Sequence, residues 1–141
     1  MSMPLLGAHM SIAGGPANAL VRGRSIGCDA IQMFTRNANR WDAKDLTADQ
    51  VDAFMRARRE TGLEQIVAHA SYLINLGSPD DTLWQRSQQA LLSELERCHV
   101  LGIDRYVLHP GAHMDASAEA GLERVASALT TCLGTSAPDV T

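Results

Sequence analysis

One pattern constrains this chain more than any other. A short, apolar, β-rich run is followed by a helical stretch, and the pair recurs four times. The runs are LLGAHM, ending near His9, DAIQMFT from Asp29 to Thr35, QIVAH from Gln65 to His69, and RYVLH from Arg105 to His109. Strands that read as apolar on both faces belong to a parallel sheet covered by helices. The intervening helices are expected over about Gly15 to Ser25, from Thr47 to Gly62, from about Asp81 to Leu101, and from about Ser117 to Leu133.

Local signals support these bounds. Thr47 and Gln50 form a T-x-x-Q capping box, which satisfies free backbone donors at a helix start. Gly62, Gly102 and Gly134 stand where helices should stop. The expected inner faces are Ala17, Leu20, Val21 and Arg24; Val51, Phe54 and Met55; Trp84, Leu91, Leu95 and Cys98; and Leu122, Val125, Ala126, Leu129 and Leu133. SAPDVT at the end reads as a loop entering another strand.

Two α/β architectures fit, an open doubly wound sheet or part of a (β/α)8 barrel. A complete barrel needs about 200 residues or more. With 141 residues, four units make half of one, read as a single domain over residues 1–141 without a linker. The three cysteines are odd in number and form no C-x-x-C, which fits reduced, packed thiols. No apolar run reaches the roughly 18 residues of a membrane span. MSMPLLGAHM lacks the basic and apolar regions of a signal peptide, so a cytoplasmic location is expected. A net charge of −4 weighs against indiscriminate nucleic-acid binding but allows a local basic surface.

Function in a parallel α/β sheet gathers at the carboxyl ends of the strands. His9, His69 and His109 all fall there. A histidine in such a place ligates a metal, acts as a base, or makes a structural hydrogen bond. Neighbouring strands lie about 4.8 Å apart, so His69 and His109 on consecutive strands favour a shared metal site. His113 follows in the loop, where Pro110 and Gly111 deny its spacing any helical meaning. The carboxylates, Glu94 among them, fall mostly on helices and loops.

Two loops have the composition of nucleic-acid contacts. TRNANRWDAK sets Arg36, Arg40 and Lys44 around Asn37, Asn39 and Trp41: cations for phosphates, amides for base edges, a ring for stacking. The alternative is a polar loop with its tryptophan packed beneath. SYLINLG puts Tyr72, Leu73 and Ile74 directly after His69, as a wedge for a base stack or as a cap on the core.

GAHMSIAGG, QMFTRNANRW, AHASYLINLGSP and LHPGAH, in this order and spacing, resemble endonuclease IV, the zinc-dependent apurinic/apyrimidinic endonuclease family of base-excision repair. The resemblance covers essentially the whole chain and implies the N-terminal half of a (β/α)8 TIM barrel with a trinuclear zinc cluster. It implies that His69 and His109 ligate zinc and that Asn37, Asn39, Arg40, Tyr72 and Leu73 meet DNA. His9 and His113 would lie near the centre without ligating. The implied reaction hydrolyses the phosphodiester 5′ to an abasic site in duplex DNA, leaving a 3′-hydroxyl and a 5′-deoxyribose phosphate. Full-length members are expected to be monomeric. Some relatives carry Arg and Gln where this sequence has Asn39 and Arg40, so that groove contact is expected to be rearranged. The remaining ligands belong to strands beyond Thr141, so the chain alone is expected to be inactive. A sugar isomerase-like barrel, or a non-catalytic half-barrel that binds zinc or DNA weakly, are the alternatives.

Overall fold

The computed structural model describes residues 3–135 and residue 140. The elements run β1 (Gly7–Met10), α1 (Ala17–Ser25), β2 (Ala30–Phe34), α2 (Ala48–Thr61), β3 (Gln65–His69), α3 (Asp81–Leu101), β4 (Tyr106–Val107) and α4 (Ala118–Thr135). The strands form one parallel sheet in the order β1-β2-β3-β4. Sheet order therefore follows chain order, as in successive units of a barrel wall. The expected α/β half-barrel is what the chain adopts.

Two helices, α2 and α3, begin and end on local signals. The Thr47 side chain accepts from the Gln50 amide while Gln50 Oε1 accepts from the Thr47 amide, so the capping box closes in both directions. Asp80 caps α3 by accepting from the Leu83 amide at 2.7 Å. Gly62 and Gly102 end α2 and α3 with left-handed backbone, φ 68° and 65°.

Along β2 and β3 alternate side chains meet different environments. Ile31, Met33, Ile66 and Ala68 are buried in the apolar core with Leu20, Phe54, Leu91, Leu95 and Cys98 from the helices. At Gly23 a Cβ would sit 2.4 Å from Ile31 Cγ2, so glycine sets how closely α1 lies on the sheet. Gln32, Phe34, Val67 and His69 alternate with the core residues and are only half-buried.

The helix faces differ from expectation in two places. In α1 the buried residues are Ala19, Leu20 and Gly23, while Val21 is exposed. In α4 the buried residues are Gly121, Ala128 and Cys132, Leu122 and Leu133 face outward, and the helix continues through Gly134. Small residues let these helices approach closely, and that selects a face which hydrophobicity alone would not choose. β4 is also shorter than RYVLH, which leaves His109 two residues beyond the strand. The expected loop and strand after α4 lie outside the described residues, apart from a buried Val140.

Candidate metal and nucleic-acid site

The strand register gathers the histidines. His9 pairs with Gln32 across β1 and β2, Phe34 pairs with His69 across β2 and β3, and His69 pairs with Val107 across β3 and β4. The His69 and His109 ring centroids stand 5.1 Å apart, and His9 lies 6.4 Å from His69. Phe34 fills the space between, 4.4 Å from His9 and 5.7 Å from His69.

Hydrogen bonds fix what the rings offer. His69 Nδ1 lies 2.7 Å from the Ala70 carbonyl. A carbonyl only accepts, so Nδ1 carries the proton and Nε2 keeps its lone pair. That is the usual arrangement of an imidazole set up to ligate a metal. His9 Nδ1 accepts from the Gln32 amide at 2.9 Å. Burial, and then the neighbouring His69, lower the pKa of His9, which favours the neutral ring. His113 is engaged elsewhere: its Nδ1 donates to the Ala116 carbonyl at 2.7 Å and closes the loop before α4.

The loop that carries His109 is braced from the neighbouring unit. Asn75 Oδ1 accepts from the amides of Gly77 and Ala112, and the Leu76 amide donates to the Pro110 carbonyl at 3.0 Å. Gly111 has φ 114°, and a Cβ there would strike Asn75 at 2.0 Å. The HPG turn thus fits only with glycine at its end.

The two polar loops flank this cluster. Tyr72 is 68% exposed, with its ring 5.2 Å from Phe34, so it stands proud of the rim. Leu73 is half-buried and Ile74 is buried, so only the tip of SYLINLG has the exposure of a wedge while Ile74 caps the core. Asn37, Asn39 and Arg40 are exposed on the other loop, where Asn37 Oδ1 accepts from the Asn39 amide. A cleft of about 620 Å³ between them is lined by His9, Phe34, Asn37, Asn39 and Tyr72.

Of the expectations for these loops, the one for Arg36 is corrected, and for Trp41 the packed alternative holds. Arg36 is 5% exposed and faces inward to Glu94, so it is not free to meet a phosphate. Trp41 is half-buried against the core with the Arg86 guanidinium 4.6 Å above its ring, which leaves that face covered. Glu94, counted among the carboxylates on helices and loops, is fully buried. The available signal was its position beside Leu91, Leu95 and Cys98, inside the apolar stripe of α3. Among the described residues no three His, Cys, Asp or Glu side chains are grouped so as to hold a metal ion.

Four parallel βα units, with imidazoles and polar loops gathered where strands hand over to helices, define one half of a TIM barrel. The chain belongs to the xylose isomerase-like TIM barrel family, whose model matches residues 20–139. It is 50% identical over 127 residues to a protein of Halorhodospira halophila named "Probable endonuclease 4", covering 90% of this chain and 43% of that one. A protein of the same name from Chloroflexus aggregans is 47% identical over 131 residues, covering 93% of this chain and 46% of that one. The crystal structure of endonuclease IV from Thermus thermophilus superposes with a TM-score of 0.78 at 35% identity, over 92% of this chain and 47% of that one. The chain therefore spans less than half the length of these relatives, and the resemblance to endonuclease IV holds. A D-psicose 3-epimerase structure matches with a TM-score of 0.66 at 11% identity, which is a likeness of fold alone.

Proposed function

We propose that the chain carries the N-terminal half of a zinc-dependent DNA-repair endonuclease that cuts the phosphodiester 5′ to abasic sites in duplex DNA. The observation that carries this reading is the imidazole pair, His69 and His109 at 5.1 Å, set beside the exposed Tyr72. The likeness to endonuclease 4 proteins supports it.

The residues fit a zinc ion as part of a ligand set. His69 would bind through Nε2, whose lone pair its bond to Ala70 leaves available, and His109 through a ring nitrogen. When bound, the metal supplies Lewis-acid polarisation of the phosphoryl group. The chain's own residues do the rest. Tyr72 enters the duplex beside the lesion, and Leu73 supports its base. Arg40 holds a backbone phosphate, and the amides of Asn37 and Asn39 meet the groove. The cleft beside Tyr72 receives the extruded sugar. With two imidazoles and, among the described residues, no third His, Cys, Asp or Glu grouped with them to hold a metal, the chain alone is expected to bind rather than cut.

The test measures zinc and DNA binding separately. Equilibrium dialysis is expected to show zinc on the chain and a marked loss in His109→Ala. Fluorescence anisotropy is expected to show preference for a duplex with one abasic site over the intact duplex. Zinc content unchanged in His109→Ala refutes the ligand assignment. Equal affinity for both duplexes refutes the lesion reading.

A further inference from the structure

The two rim loops are held by one buried charge cluster on α3. Glu94 is fully buried, and its Oε2 accepts from the Ser71 amide at 3.1 Å and from the Tyr106 hydroxyl at 2.7 Å. Its Oε1 faces Arg36 Nε at 3.8 Å. The far end of Arg36 donates to the carbonyls of Arg40 and Trp41. Further along α3, Arg97 donates to the Thr35 carbonyl at 2.6 and 2.8 Å and to the Lys44 carbonyl at 2.9 Å. The loops also touch directly, where the Tyr72 amide donates to the Ala38 carbonyl at 3.1 Å.

We infer that Glu94 is a positioning residue that locks the loop over residues 36–41 and the Ser71–Tyr72 turn into one rigid unit, set at a fixed distance from the imidazoles. The physical reason is the cost of a buried charge. A carboxylate in the core is tolerable only with its partners in place, so each partner's position depends on the others. Ser71 follows the strand that ends at His69, and Tyr106 begins the strand that leads to His109. Arg36 opens the loop that bears Asn37, Asn39 and Arg40. One side chain thus ties the segments that follow β2 and β3 to the start of β4. Burial, and then the charge of Glu94, raise the Tyr106 pKa, which keeps its hydroxyl protonated as the donor. The consequence for DNA rests on the function proposed above, whereas the locking itself does not.

The test is hydrogen exchange, read by mass spectrometry, on the chain and its Glu94→Gln variant. The amide keeps the size and one acceptor but removes the charge that faces Arg36. Exchange is expected to rise about tenfold or more at residues 36–41 and at Ser71 and Tyr72, with α1 and α2 unchanged. Should Glu94→Gln fail to fold, Tyr106→Phe removes one bond to the same carboxylate and should loosen the Ser71 turn. Unchanged exchange in the loops overturns the inference, and so does a uniform rise across the helices, since Glu94 would then be an ordinary core residue. Anisotropy with abasic duplex separates the two readings. Loosened loops with weakened binding support both. Loosened loops in a chain that never bound abasic duplex leave the lock standing and remove the DNA function.

Discussion

The two faces of the sheet are made by alternate residues of the same strands, yet they have opposite fates. On one side Ile31, Met33, Ile66 and Ala68 are closed in by helices. On the other, Gln32, Phe34, Val67 and His69 are half-buried, with His9 and His109 exposed beside them. The first face stabilises the fold through buried apolar area. The second adds little stability and carries every candidate ligand. A parallel sheet with period-two side chains can separate the two tasks this cleanly because each strand serves both.

Phe54→Ala should break the comparison hardest. Phe54 is fully buried, and its truncation is expected to destabilise the chain by about 3–5 kcal/mol in urea unfolding. Phe34→Ala, on the other face, should cost clearly less. Equal costs would mean that the rim face is as well packed as the core.

A chemical contrast follows. Burial, and then the nearby Glu94, push the Cys98 thiol up to about 12. A raised pKa means less thiolate at any given pH. At pH 8 alkylation of Cys98 in the folded chain should be about 10³-fold slower than in guanidinium, as mass spectrometry of labelled peptides can read. Fast labelling in the native state would show that the helix side opens readily.

The mildest change in stability should come from Tyr72→Ala. An exposed ring contributes within about 0.5 kcal/mol to folding. Its removal should nevertheless weaken abasic-duplex binding by about 1–3 kcal/mol if the ring stacks on a base, with zinc content unchanged. Unaltered affinity would assign Tyr72 to the packing of the rim alone.

What could be read from the sequence divides along the same line. Signals that act within a few residues were legible: the Thr47–Gln50 capping box and the stops at Gly62 and Gly102 are found as expected. The strand-end positions of His9 and His69 followed from the strand bounds. Signals that depend on a distant partner were not. Arg36 looks like a phosphate ligand until Glu94 arrives from α3 to neutralise it, and nothing next to Glu94 in sequence shows that Arg36 faces it. The α4 stripe was legible in part: Val125 and Leu129 pack against the core as expected, while Leu122 and Leu133 face outward and the small Gly121 and Ala128, which present little hydrophobicity, are buried instead. Gly134 did not end that helix because a glycine marks a stop only where left-handed backbone is needed.

The coincidence of sheet order with chain order has a consequence for synthesis. Among the four strands described, each one after β1 finds its neighbour already made as it leaves the ribosome. The units can dock one after another, with short sequence separation between partners and little rearrangement of what has formed. Growth by simple addition would let this half of the barrel wall take shape in the order in which it is translated.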